Sequence, residues 1–158
     1  MNAPPAGRRG FPLPALAAWL FPLCLALAGC ADVSVHHDPK ADLSRYRRFY
    51  VERRLGDDHH LDELLVQELR DLGREATSGP LTMRPDGVDA SVTYTDRWAW
   101  DFKTYLIEFN FEVRDARTDK LLTTGRYYQP TLRSKAPVEM IRELLTPLFG
   151  RGTSPAKK

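Results

Sequence analysis

Apolar positions recur at three different spacings along the chain, and each spacing predicts a different kind of element. The first is unbroken: Ala15 to Ala28 is a 14-residue apolar run holding Leu16, Trp19, Leu20, Phe21, Leu23, Leu25 and Leu27. It falls short of the ~20 residues a membrane-spanning helix needs and fits the apolar core of an export signal. Pro12, Pro14 and Pro22 further weaken any uncleaved helical anchor.

The second spacing is helical. Leu61, Leu64, Leu65, Leu69 and Leu72 share one face, with Asp62 and Glu63 in the first turn and Gly73 at the C-terminal cap. Gly56-Asp57-Asp58 just ahead offers capping carboxylates. Pro137 opens a last helix with Val138, Ile141, Leu144, Leu145 and Leu148 on its apolar side.

The third spacing is two. Val33-Ser34-Val35 starts a short strand, and Tyr46, Phe49, Tyr50 and Val51 mark another. Ala90, Val92 and Tyr94 alternate with Ser91, Thr93 and Thr95. Tyr105, Ile107, Phe109, Phe111 and Val113 alternate with Glu108, Asn110 and Glu112, and Leu121 to Tyr128 returns as a long strand. Residues 74–88 read as loop, around Ser78-Gly79-Pro80 and Pro85-Asp86-Gly87. The order β-β-α-β-β-β-α predicts an α+β domain: an antiparallel sheet of four to five strands, two helices on one face, and a largely solvated opposite face. Residues 150–158 read as a disordered tail.

The apolar run ends in Leu27-Ala28-Gly29-Cys30, after a basic Arg8-Arg9. An aliphatic residue, two small ones and a cysteine resemble the lipobox of bacterial lipoproteins. The resemblance implies that residues 1–29 are removed and that the Cys30 thiol, the nucleophile, takes up the lipid. Each buried methylene of an acyl chain adds about 0.8 kcal/mol of membrane affinity, so two or three chains hold a protein in place. Asp directly after the cysteine would favour the inner membrane by the same resemblance. Here Ala31 follows and Asp32 comes one later, so the expectation is the outer membrane, facing the periplasm. Arg8-Arg9-Gly10-Phe11 fits both a plain basic segment and a twin-arginine export motif.

Removing residues 1–29 changes the rest of the reading. From 158 residues, 129 remain, enough for one domain over residues 30–149 with a core of its own. The 23 Lys and Arg against 21 Asp and Glu become 21 against 21 once Arg8 and Arg9 leave. That balance lacks the basic face nucleic acid requires, and Lys157-Lys158 reads as a solvated end. Cys24 leaves with the signal and Cys30 is acylated, which excludes disulfides, zinc thiolates and cysteine nucleophiles from the mature chain.

Asp42-Leu43-Ser44-Arg45-Tyr46-Arg47-Arg48-Phe49, then Asp89-Ala90-Ser91-Val92-Thr93-Tyr94 and the turn Asp115-Ala116-Arg117-Thr118-Asp119-Lys120, together resemble a family of small bacterial lipoproteins of uncharacterised function. In that family a D-x-S-x-Y-x-x-F stretch follows the lipidated linker and a D-x-x-T-G-K turn joins two strands. Asp119 stands where the turn has Gly, and Asp tolerates a left-handed backbone. The resemblance runs over roughly residues 32–149. It implies an α+β module similar to those of envelope-assembly systems, and it carries no catalytic residues with it.

Little else points to chemistry. His36-His37 and His59-His60, the latter beside Asp57-Asp58, are metal-ligating types. Neighbouring side chains on a strand diverge, though, and those ahead of a helix read as exposed caps, so neither metal nor cofactor is expected. Glu108 and Glu112 lie four apart on one strand face, about 13 Å, too far for acid–base partnership. There is no nucleophile elbow, phosphate loop or dinucleotide fingerprint. The unusual cluster is Asp96 to Lys103, in which Trp98 and Trp100 face alike beside a chain reversal at Asp101 to Lys103. Aromatics near loops are enriched at interfaces. The expected function is a non-enzymatic envelope lipoprotein with a protein partner, contacted through Trp98 and Trp100 if a hot spot exists. The alternative is a periplasmic hydrolase acting on cell-wall or other envelope substrates.

Overall fold

The computed structural model describes residues 31–130 and 135–150. Leu27, Ala28, Gly29 and Cys30, with the whole signal segment, lie outside the described residues, as do residues 151–158 of the tail.

Six strands form one sheet: β1 (Asp32–His37), β2 (Arg48–Glu52), β3 (Glu75–Gly79), β4 (Ala90–Asp101), β5 (Lys103–Asp115) and β6 (Leu121–Tyr128). Two helices, α1 (Leu61–Asp71) and α2 (Pro137–Phe149), complete the fold. The spatial order is β1-β6-β5-β4-β2-β3. β1, β6, β5 and β4 pair antiparallel, whereas β2 lies parallel to both its neighbours, β3 and β4. The expected sheet of four to five antiparallel strands is therefore corrected to a mixed sheet of six. Parallel neighbours need a long crossover. α1 supplies it between β2 and β3, and residues 80–89 supply the return to β4.

That return also corrects the expected solvated face. Tyr50 points away from the helices, yet it is 2% exposed and donates its hydroxyl to the Pro80 carbonyl at 2.7 Å. Ser91 is buried as well. Over β4 to β6 the same face carries half-covered polar residues such as Glu108, Asn110 and Glu112.

The dry face of the sheet meets both helices. Phe49, Val51, Val92, Phe109, Phe111 and Val113 pack with Leu61, Leu65 and Leu69 of α1 and with Met140, Ile141, Leu144 and Leu145 of α2 in one core. Phe49 meets Phe149 edge to face at 5.3 Å. Between the helices, buried Glu68 accepts two bonds from Arg142, at 3.0 and 2.7 Å. α1 is capped by Asp57, which accepts from the N–H groups of Leu61 at 2.8 Å and Asp62 at 3.3 Å. Gly73 follows the helix at φ +80, the left-handed stop that glycine permits. Pro137 is the first residue of α2. No helix among the described residues is long and apolar enough to cross a membrane.

Candidate interaction site

β4 and β5 form a hairpin that outgrows its neighbours. β2 pairs with β4 only to Val92, and the β5 ladder with β6 ends at the Glu108–Tyr128 pair. β4 and β5 stay paired to Asp101 and Lys103, so Trp98 to Leu106 is a two-stranded ribbon standing beyond the sheet. Phe102 alone turns the chain, at φ +58.

The base of the ribbon is pinned by charge. Glu108 accepts from Arg97 at 3.1 and 2.8 Å and from Arg126 at 2.8 Å, and Arg126 also reaches Asp32 at 3.5 Å. The bond from Arg126, aided by Arg97, holds the Glu108 carboxyl below its ordinary range despite some burial. Both guanidinium groups lie over the Tyr128 ring. Arg97, Glu108, Tyr128 and Asp32 thus form one row across four strands.

Trp98 and Trp100 do share a face, but their surroundings differ. Trp98 stacks on His59 with ring centroids 3.7 Å apart and donates its indole N–H to Asp96 at 2.7 Å. Asp96 in turn pairs with Arg54, and Trp98 packs against the core. Trp100 is 73% exposed, and Phe102, 6.5 Å away ring to ring, is 95% exposed. The exposed aromatic pair is therefore Trp100 and Phe102. Phe102 falls within the cluster marked in the sequence without being singled out. Its signal is an apolar residue at the turn itself, between Asp101 and Lys103. Leu55, 97% exposed, lies beside Arg54 near the ribbon's base.

Residues named for chemistry are bound up in structure. His59 is the stacking partner of Trp98, His60 precedes α1 at φ +55, and His36 and His37 lie on edge strand β1. Glu112 pairs with Arg114 at 2.9 Å. Burial works against ionisation of Asp57, but the Tyr94 hydroxyl and the N–H groups of His59, Asp62 and Leu61 hold its carboxyl below the ordinary range. The same contact and burial push the Tyr94 hydroxyl up. Among the described residues no three His, Cys, Asp or Glu side chains gather as a metal site would require.

The motif residues meet at the opposite end of the sheet. Asp42 accepts from the Ser44 N–H at 3.0 Å and its hydroxyl at 2.6 Å, forming a short 3-10 turn. Tyr46 donates to Asp115 at 2.9 Å, so the first motif is tied to the turn motif. Asp115 also accepts from the Thr118 N–H and hydroxyl, which draws its pKa down to about 2. Asp89 accepts from the N–H groups of Arg47 and Arg48 at 3.0 and 2.9 Å, and Asp119 sits at φ +58 as a glycine substitute would. Tyr46, Asp89 and Asp115 line a shallow cavity of about 410 Å³ with Arg45, Arg48 and Arg117. A neighbouring cleft of about 490 Å³ between β3 and residues 85–88 is lined by Phe49, Arg70, Arg74 and Val88. The sequence did not foreshadow it.

No family model matches the chain, and no curated protein does. Solved structures do. The PelC dodecamer from Paraburkholderia phytofirmans aligns in two crystal forms with TM-scores of 0.59 and 0.58, at 16% identity, over 77% of this chain and 100% of that one. A DUF4136 family protein from Bacteroides thetaiotaomicron aligns with a TM-score of 0.52, at 12% identity, over 73% of this chain and 94% of that one. At such identities the likeness is one of fold: this chain has the α+β fold of a domain-of-unknown-function protein and of a protein crystallised as a dodecamer.

Proposed function

We propose that the protein is a lipid-anchored envelope module whose domain is non-enzymatic and works by assembling with protein, copies of itself included. The observation that carries this is the fold likeness over the whole length of a chain that forms a dodecamer. Two features are in keeping with it. The outer edges of β1 and β3 have no strand partner among the described residues, and such edges can pair with another chain. Asp57, Glu68, Asp96, Glu108, Glu112 and Asp115 are engaged in caps, hydrogen bonds and ion pairs, and His59 in a ring stack, so none of them supports the hydrolase alternative. The anchor is the acyl-bearing Cys30, and the site is the periplasmic face of the outer membrane.

Two measurements on the lipoprotein purified in mild detergent test the proposal. Its intact mass and amino-terminal peptide report the modification of Cys30, and native mass spectrometry reports the assembly. Acylated Cys30 and discrete multiples of this chain are expected. A free amino terminus elsewhere, or a monomer at every concentration with no crosslinked multiples in the intact envelope, overturns it.

A further inference from the structure

We propose that the tip of the β4–β5 hairpin, Trp100 and Phe102, dips into the headgroup region of the bilayer that holds the lipid on Cys30. The inference rests on the anchor proposed above and adds a second, non-covalent membrane contact.

Strand register is the first support. β1 begins at Asp32, opposite Tyr128, which lies opposite Glu108, which lies opposite Arg97. The first rung of β1 is thus in the same row as the base of the ribbon. β1 runs away from that row towards His37, so Ala31 stands at the end of the sheet from which the ribbon projects.

Reach is the second. Ala31, which follows Cys30 in the sequence, is one residue before Asp32, so its Cα lies about 3.8 Å from that of Asp32. From Trp98–Leu106 to Asp101–Lys103 the ribbon adds four rungs beyond the row, about 14 Å at strand rise, with Phe102 at the turn past the last. For strands standing upright, the tip extends roughly 10 Å past Ala31, comparable with the 5–10 Å depth that interfacial apolar groups occupy. Laterally the two are three strand spacings apart, about 14 Å. A domain held upright on its amino-terminal end presents the tip to the bilayer.

Chemistry is the third. Trp favours the headgroup level, where an apolar ring and a polar N–H are both accommodated. Phe102 at the apex is apolar throughout. Asp101 and Lys103 flank it with opposite charges, so the contact calls for no particular lipid charge. The rigid stack of Trp98 on His59 and its bond to Asp96 hold the ribbon base, which leaves the tip presented without further ordering.

After loss of residues 1–29, Trp98 and Trp100 are the only tryptophans. A Trp98→Phe variant of the lipoprotein, purified in detergent and reconstituted into phosphatidylethanolamine–phosphatidylglycerol vesicles, makes Trp100 the sole emitter. The expected result is a blue-shifted emission that brominated lipids quench and aqueous iodide does not. Adding Phe102→Ser to the Trp98→Phe variant should remove most of that lipid quenching, while Phe102→Ser alone, an exposed change, leaves the melting temperature in place. Intact mass of the same sample reads Cys30 separately. Acylated protein whose Trp100 is quenched by iodide and not by bromolipid overturns the tip contact alone. Unacylated protein overturns the anchor and the tip contact with it. Trp100 shielded in native envelopes but open to iodide in pure lipid would assign the tip to a protein partner, and this also overturns the proposal.

Discussion

Trp98 and Trp100 are two residues apart on one strand face, and the structure predicts opposite consequences for removing them. Trp98→Ala strips away the ring stacked on His59 at 3.7 Å, the donor to Asp96 at 2.7 Å and part of the core contact. A fully buried Trp truncation costs about 3–5 kcal/mol. Trp98 is only partly buried, which lowers its packing share to roughly half. Loss of the aromatic pair adds about 0.5–1.5 kcal/mol. Asp96, with its side chain 5% exposed, loses one donor but keeps Arg54, so the polar loss stays near the lower end of the ~1–3 kcal/mol range. Together these suggest about 3 kcal/mol. For a domain of this size, that lowers the melting temperature by roughly 10 °C. Trp100→Ala removes a ring that is 73% exposed and should stay within about 0.5 kcal/mol of wild type, as surface changes do. Urea unfolding of both variants, with His59→Ala to complete a double-mutant cycle on Trp98, measures the difference. If the two alanine variants unfold at the same urea concentration, or if the cycle gives no coupling between Trp98 and His59, the reasoning fails.

Three further outcomes follow from the packing and the charges. Gly125→Ala places a Cβ 2.2 Å from Cε1 of the Phe111 ring, which is 1% exposed; thermal melts should show a loss of about 1–3 kcal/mol, partly recovered by Phe111→Leu. Arg142→Ala strands the buried Glu68 carboxylate, at a cost towards the lower end of roughly 3–5 kcal/mol because water reaches Arg142, and Glu68→Leu/Arg142→Met should cost less than Arg142→Ala alone. Asp115, drawn from 3.8 to about 2 by Thr118 and Tyr46, adds stability that is present above its unfolded value and is lost as pH falls through the folded one. Asp115→Asn should therefore flatten the stability profile between about pH 4 and pH 2, as read by denaturant titration at each pH.

The parts of the fold that were readable in advance are those where one face of an element is dry and the other is wet. α1, α2 and β6 fall where the apolar spacing places them, and Asp57 caps α1 as its position suggested. β3 reads as loop in the sequence because its five residues, Glu-Ala-Thr-Ser-Gly, bury only Ala76 and Gly79 and leave no alternation to see. Its place is set by β2 and the α1 crossover, which are tertiary causes. The core face of β5 was misassigned at one end for a local reason. The register skips Ile107 where Arg97 faces Glu108 and Trp98 faces Leu106. Leu106 therefore enters the core, while Tyr105 and Ile107 are only half-covered. A strict period of two places Tyr105 and Ile107 there instead, since a bulge leaves no mark in composition. The candidate site was legible as a cluster, from Asp96 to Lys103, but its division was not. Trp98 is covered by His59, 39 positions earlier in the turn before α1, and no pattern along the chain records that contact.

β1 has a mechanical consequence. Among the described residues it is an edge strand, bonded along its length to β6 through a register running from Asp32 on Tyr128 to His37 on Thr123. A pull on Ala31 directed along the strand loads all of those rungs at once, as in a lap joint. The same pull turned across the sheet would open them one after another from the Asp32 end. The lifetime of the domain under tension is then set by the direction of the load, because forced unfolding follows the rate of opening rather than the equilibrium stability. A domain held upright on its amino terminus takes that load in shear, and one lying on its side takes it as a peel.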